Sequence, residues 1–210
     1  MTDRNYGFAV TAENRVELPT PEAMSPAQRK IYDAVVSGPR GRMVGPLRAV
    51  IHSPDLADRW QKFGEFLRYD TVLPHKLSEL AIITCGRRWN SDVEWSIHSR
   101  VAREAGLSET VIRAIDAGDA VSFEDPAERE IYDFTRSLLH HGQVSDHAYA
   151  AVRARWGDQG VVELTGLVGY YSMVAMMVNA HLIPIPEGEG PGVTPLSAEL
   201  TVLGESEQKQ

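Results

Sequence analysis

The sequence is poor in cysteine, with Cys85 as the single thiol among 210 residues. A disulfide framework needs pairs of thiols, so the class of small secreted proteins held together by disulfides is excluded. The N-terminal residues MTDRNYGFAV also lack the apolar stretch of a secretory signal. A lone thiol and the missing signal lead us to expect a cytoplasmic protein.

Runs of basic residues are also missing. The chain has 21 Lys and Arg against 29 Asp and Glu, which gives a formal net charge of −8. Phosphate binding depends on clustered cations, so we expect no nucleic-acid partner. With 43% hydrophobic and 24% charged residues, the composition is that of an ordinary globular protein with room for one well-packed domain.

The sequence has no apolar run long enough for a clear membrane span. The segment from Leu164 to Ala180 is free of charge, but it is short and contains Thr, Gly, Ser and Asn. We interpret it as a buried helix and expect no membrane partner. Period-two alternation typical of strands is absent as well, so the predicted fold class is all-α.

Composition divides the chain into three parts. Residues 1–24 are predicted to form an irregular polar arm, residues 25–183 a helical domain, and residues 184–210 an extended or disordered tail rich in Pro, Gly and Glu. The segments PAQRKIYD at Pro26 and PAEREIYD at Pro126 indicate a weak internal repeat.

The densest set of reactive side chains lies between residues 74 and 106. Glu79 falls inside a nearly apolar helical run, where a carboxylate is costly to bury without a partner. On the next predicted helix, Ser91, Glu94 and His98 share one face because they are three and four residues apart. An antiparallel pairing of the two helices predicts that Glu79 lies opposite His98.

The segments LSELAI, EWSIH and AREAGLSETVIRAI resemble the carboxymuconolactone decarboxylase and AhpD-like family, across roughly Gly45 to Leu182. The shared core of that family is a helical hairpin that carries a glutamate, a proton-relay pair and a histidine. In the AhpD peroxidase branch the relay is a CxxC pair, whereas this chain has Ser91 and Glu94 at those positions. The EWSIH segment looks more like the decarboxylase branch.

The resemblance implies an AhpD-like helical bundle with a central antiparallel hairpin, assembled as a homo-oligomer (dimer, trimer or hexamer). It also implies a decarboxylase-like lyase that acts on a small carboxylated lactone or carbonyl compound from aromatic catabolism, without an organic cofactor. In this hypothesis His98 moves the proton, while Glu79 and Glu94 set its protonation state. The same groups would serve isomerisation or lactone hydrolysis.

Two other functions stay open at this point. One is an AhpD-like peroxidase or thiol oxidoreductase, which the missing CxxC disfavours. The other is a non-catalytic oligomeric binding protein of the same fold. A metal site built from Glu79, Glu94 and His98 is disfavoured, because the single Glu-x-x-x-His is short of ligands.

Four further residues are candidates for substrate binding. Ser91 is either a donor in the pocket or the N-cap of the EWSIH helix. Arg87 and Arg88 are candidates to bind a substrate carboxylate, although one of them can simply stabilise the end of its helix. Tyr170 either brings a phenol to the cavity or packs inside its long helix.

Two loop arginines and the single cysteine are the other reactive side chains of note. Arg40 and Arg42 lie in a Gly-flanked loop and are available to meet an anion, although solvated loop arginines are the commoner case. Cys85 is expected to be an inert, buried thiol.

Overall fold

The computed structural model describes residues 15–17, 19–43, 45–194 and 200–207. Within these ranges the chain forms one short 3-10 helix, Pro21–Ala23, and eight α-helices: α1 Pro26–Ser37, α2 Leu47–Val50, α3 Pro54–Tyr69, α4 His75–Arg88, α5 Asp92–Glu104, α6 Glu109–Ala117, α7 Pro126–His141 and α8 Asp146–His181. The described ranges contain no strand beyond an isolated bridge between Val121 and Ser206. The predicted all-α class is confirmed.

Polar residues just before the helices fix several of their starts. Ser25 and Gln28 form a capping box at α1, in which each side chain binds the backbone N–H of the other. The side chains of Ser108, Asp125 and Ser145 accept backbone N–H bonds at the starts of α6, α7 and α8. Helices α1 and α7, which contain the two repeated IYD segments, therefore both begin at a side-chain cap. Their surroundings differ, because α1 packs on α3 whereas α7 packs on α4 and α8.

Helix α4 is the centre of the bundle. Every residue from Leu77 to Arg87 is buried, because α5, α7 and α8 pack around it. A helix that is apolar on all sides needs such surroundings. Gly86 lets α5 approach closely, since a Cβ there would lie 3.2 Å from the Cβ of Glu94. The central hairpin that the sequence predicts is formed by α4 and α5.

Helix α8 is broken at Gly157, whose backbone adopts φ 68° and ψ −173°. A residue with a side chain would be strained there, so glycine permits the break. By length and composition α8 resembles a membrane span, but 56% of its apolar window is buried inside the domain. This burial is typical of a core helix.

Apolar side chains remain exposed on the outer sides of α3 and α8. Their exposed fractions lie between 39% and 48% for Leu56, Phe63, Phe66, Met173 and Met176. The single chain does not test the predicted homo-oligomer, which stays a prediction.

Residues 184–194 follow α8 as an extended segment, which we call the strap. The strap crosses α5 and is held by side chains one helical turn apart: Asp92 accepts from the N–H of Val193 (3.0 Å), Ser96 donates to the carbonyl of Gly190 (2.6 Å), and Arg100 binds Glu189 (3.0 Å). Farther along, Thr201 and Leu203 are buried against the helices. The segment predicted as an extended or disordered tail is thus extended and packed on the domain in these parts.

The proposed division into arm, domain and tail stays a prediction. Residues 1–14 and 18 of the arm, and residues 195–199 and 208–210 of the tail, lie outside the described part of the chain.

Candidate active site

Glu79 on α4 and His98 on α5 meet across the central hairpin. The Oε2 atom of Glu79 lies 2.7 Å from Nδ1 of His98, and the two residues are 0% and 6% exposed. The structure brings this pair together as the spacing predicts. Arg68 on α3 adds a cation, with its Nε 3.9 Å from the second oxygen of Glu79.

The surroundings favour an ionised Glu79 and a neutral His98. Burial alone would raise the pKa of Glu79, but the hydrogen-bonded His98 and the Arg68 cation together lower it. Burial lowers the pKa of His98, although Glu79 opposes this effect. A carboxylate at Nδ1 holds the proton on that nitrogen. The lone pair of Nε2 is then available to take a proton from a ligand.

Glu94 lies one turn before His98 on the same helix and is also buried. Burial raises its pKa to about 7, although the Ser91 hydroxyl donates a hydrogen bond that opposes the rise. Ser91 sits at the N-cap position of α5, yet its side chain binds Glu94 and makes no capping bond. At neutral pH both protonation states of Glu94 are therefore populated, as acid–base chemistry requires.

A cavity of about 170 Å³ opens beside these groups. It is lined by side chains from α3, α5, α8 and the loop after α1, among them Arg40, Trp60, Arg68, Glu94, His98, Tyr170 and Tyr171. A protein cavity of about 150 Å³ accommodates benzene. The size therefore suits a small single-ring compound.

Aromatic rings form one wall of the cavity. Tyr171 packs edge-on against His98, with ring centroids 5.0 Å apart, and Tyr170 packs edge-on against Tyr171 at 5.4 Å. Burial raises the pKa of Tyr170 to about 12 and also raises that of Tyr171. Both phenols therefore stay protonated at neutral pH and act as hydrogen-bond donors. Tyr170, a predicted binding residue, is placed at the cavity.

Gly64 makes room for the Tyr170 phenol. A Cβ at this position would collide with the phenol oxygen and would lie 2.8 Å from Nη2 of Arg40. The phenol instead donates to the carbonyl of Trp60 at 3.4 Å. Glycine on this turn of α3 thus brings the loop arginine and the α8 tyrosine together.

The structure does not bring Arg87 and Arg88 to the cavity. Arg87 is fully buried and donates to Thr201 Oγ1 and to the carbonyl of Thr194, each at 2.7 Å. Arg88 donates to the carbonyl of Thr201 at 2.8 Å. In this structure neither Arg87 nor Arg88 supplies positive charge to the cavity. Both arginines instead hold the C-terminal segment to the domain.

The arginines that line the cavity are instead Arg40, Arg42, Arg68 and Arg100. The loop pattern pointed to Arg40 and Arg42, but Arg68 and Trp60 were missed. A signal for these two was present, because residues 60, 64 and 68 are four apart and therefore lie on one face of α3.

Cys85 lies in the core away from solvent, and its thiol contacts the carbonyl of Val168 at 3.8 Å. Burial raises its pKa, which suppresses the reactive thiolate. Among the residues that the structure describes, no group of three or more His, Cys, Asp or Glu side chains is placed to hold a metal ion.

The helical bundle around the α4–α5 hairpin has an AhpD-like fold. The fold is shared with an uncharacterised peroxidase-related protein from Ralstonia eutropha JMP134, described as an alkylhydroperoxidase AhpD core. The TM-score is 0.68 at 16% identity, over 83% of this chain and 93% of that one. A peroxidase-related protein from Silicibacter sp. TM1040 gives a TM-score of 0.66 at 13% identity, over 89% and 96% of the two chains.

Residues 54–137 match the sequence model of the carboxymuconolactone decarboxylase family. The resemblance that the sequence motifs indicate is thereby confirmed over these residues, and the chain has an AhpD-like fold. A comparison with curated protein sequences finds no match.

Proposed function

We propose that this chain is a cofactor-independent enzyme that transfers protons on a small carboxylated lactone or related carbonyl compound. The observation that carries this proposal is a set of buried acid–base groups beside one cavity: His98 and Glu94 line it, and Glu79 binds His98 from the neighbouring helix. The match of residues 54–137 to the carboxymuconolactone decarboxylase family model makes decarboxylation in aromatic catabolism the first reaction to test.

His98 serves as the base in this proposal. Its Nε2 accepts a proton from the substrate, and the resulting imidazolium is stabilised by the Glu79 carboxylate at 2.7 Å. Arg68 keeps Glu79 ionised throughout, because a cation beside a carboxylate favours its charged form.

Glu94 serves as the acid, because its pKa of about 7 leaves a large protonated fraction at neutral pH. In a decarboxylation His98 takes the proton of the substrate carboxyl group, the bond to the carboxyl carbon breaks, carbon dioxide leaves, and the electron pair is delocalised as an enolate. Glu94 then gives its proton to the enolate carbon, and the proton on His98 returns to Glu94 through solvent. In an isomerisation, His98 would remove a proton from one carbon and Glu94 would supply one to another.

The structural neighbours are described as peroxidase-related proteins. The site of this chain does not favour peroxide reduction by thiols. A dithiol cycle needs two thiols within bonding distance, whereas this chain has one buried cysteine.

Carbon dioxide release and ultraviolet absorbance, measured on a panel of carboxylated lactones and β-keto acids, test the proposal. We expect turnover by the parent chain and a loss of about 10²- to 10⁴-fold in His98→Ala, the range for removal of a general acid or base. His147→Ala, which removes an exposed histidine, is the matched control and should match the parent. Turnover that survives His98→Ala would contradict the mechanism.

We also propose a homo-oligomer, assembled through the exposed apolar side chains of α3 and α8, that works in the cytoplasm. Light scattering coupled to size-exclusion chromatography measures the assembly state. Met176→Glu, which places a charge at a 48% exposed apolar position, should lower the molar mass if this face is the interface.

A further inference from the structure

Six buried side-chain nitrogen atoms among the described residues have no hydrogen-bond partner, and four of them belong to side chains that line the cavity: Nε and Nη2 of Arg40, Nε1 of Trp60 and Nε of Arg68. The other two are Nε1 of Trp89 and Nε of Arg129, which do not line it. The Arg40 side chain also contacts the Tyr170 phenol, where it opposes the rise in the pKa of that phenol. Arg68 Nε faces Glu79 at 3.9 Å, which is too long for a hydrogen bond.

Such groups are rare in folded proteins, because burial removes their water and leaves the donor unsatisfied. Here three side chains from two different chain segments line the same cavity and carry unsatisfied donors. One acceptor with several lone pairs would satisfy them together, which a ligand oxyanion provides.

The ion pairs of the arginines around the cavity show which of them remain available to a ligand. Arg42 and Arg100 are both bound by the Glu189 carboxylate of the strap, at 2.5 Å and 3.0 Å. Arg40, by contrast, forms no ion pair with a carboxylate among the described residues. Arg68 lies 3.9 Å from the Glu79 carboxylate, so the positive charge without a carboxylate partner among the described residues is centred on Arg40.

We propose that Arg40, Trp60 and Arg68 form an oxyanion site that binds the carboxylate of a planar organic acid. The planar guanidinium fork matches a carboxylate, and the indole N–H adds a neutral donor at its edge. The ring of the ligand then lies against Tyr170 and Tyr171, with its far side toward His98 and Glu94. The identity of the natural acid rests on the proposed function, but binding at this site does not.

Calorimetric titration with benzoate and with its neutral isostere benzamide tests the site without any turnover. Both probes fit a cavity of this size, and only one carries the charge. We expect the parent to bind benzoate at least about tenfold more tightly than benzamide, since charged hydrogen bonds are the stronger ones. Equal affinities, or no binding of benzoate, would overturn the proposal.

Variants assign the binding to the named donors. Arg40→Gln and Arg68→Gln should each weaken benzoate about tenfold or more, and Trp60→Phe should weaken it a few-fold while keeping the ring. Arg42→Gln is the matched control inside the same cavity and should stay within about twofold, because Glu189 already occupies that guanidinium. An equal loss in Arg42→Gln would mean that general positive charge, not these donors, binds the ligand, and would overturn the assignment.

Two further measurements separate the possible failures. His98→Gln should keep benzoate binding even where it abolishes turnover, so the oxyanion site and the proposed chemistry can fail independently. Inorganic phosphate should not displace benzoate at equal concentration. If phosphate displaces benzoate from the parent, and Arg40→Gln abolishes that effect of phosphate, the carboxylate assignment is overturned in favour of a phosphate ligand.

Discussion

Replacing Glu94 by glutamine should change how the stability of the domain depends on pH. Burial raises the pKa of Glu94 from 4.5 to about 7, because the ionised carboxyl loses its hydration inside the cavity wall. This shift corresponds to about 3 kcal/mol of unfolding free energy. The folded pKa lies above the unfolded one, so the stability is fully present below about pH 4.5 and is lost as pH rises through 7.

Glutamine has the same shape and still accepts the Ser91 hydroxyl, but it cannot ionise. The free energy of unfolding of Glu94→Gln relative to the parent should therefore increase by about 2 to 3 kcal/mol between pH 5 and pH 8. Urea unfolding at both pH values measures it, and histidine titrations shared by the two proteins cancel in the difference. Glu104→Gln, at an exposed position on the same helix, is the control. A pH-independent difference for Glu94→Gln would refute the raised pKa.

Three further tests use variants at other positions. Glu79→Gln should lower kcat/KM by about 10- to 100-fold, which is the value of a charged hydrogen bond. It should also move the acidic limb of the pH–rate profile to lower pH, because the anion that raises the pKa of His98 is gone. An acidic limb that does not move would indicate a purely structural role for Glu79. Gly64→Ala should destabilise the domain by about 1 to 3 kcal/mol, because the added Cβ clashes with Tyr170. Gly169→Ala, with open space around the added Cβ, should stabilise α8 by about 0.5 to 1 kcal/mol. Thermal unfolding measures both changes. Glu189→Gln should raise the rate of amide hydrogen exchange in the strap about tenfold, because it weakens the bonds of residue 189 to two arginines. Glu187→Gln, at an exposed neighbouring position, is the control and should leave the exchange rate unchanged. Equal exchange rates in the two variants would show that Glu189 does not hold the strap.

Local periodicity explains why the central pair could be predicted from the sequence. Glu79 lies in an apolar helical run, and His98 lies at helical spacing from Glu94, so pairing the two helices places the groups face to face. The same argument applied to α3 would have found Arg68 from its spacing to Trp60 and Gly64. These are relations within a helix or across one short turn.

Contacts between distant parts of the chain could not be predicted in this way. In the sequence Arg87 and Arg88 are cations at the end of a predicted helix. Their partners Thr194 and Thr201 lie more than 100 residues later, in a segment without periodicity. The composition of that segment, rich in Pro, Gly and Glu, gives no sign that Val193 and Leu203 are buried. Isolated apolar residues in an irregular stretch carry no pattern that indicates what they pack against.

The position of the strap also sets an order of assembly during synthesis. A nascent chain presents the α4–α5 hairpin long before residues 189–201 leave the ribosome, so Glu79 and His98 can meet while Arg87 still lacks Thr194 and Thr201. Because the guanidinium of Arg87 is fully buried in the finished domain, that region of the core completes only after Thr194 and Thr201 have arrived. A stalled or shortened chain would therefore carry the acid–base pair on a scaffold that is still open at one end, and would be a natural target for proteolysis.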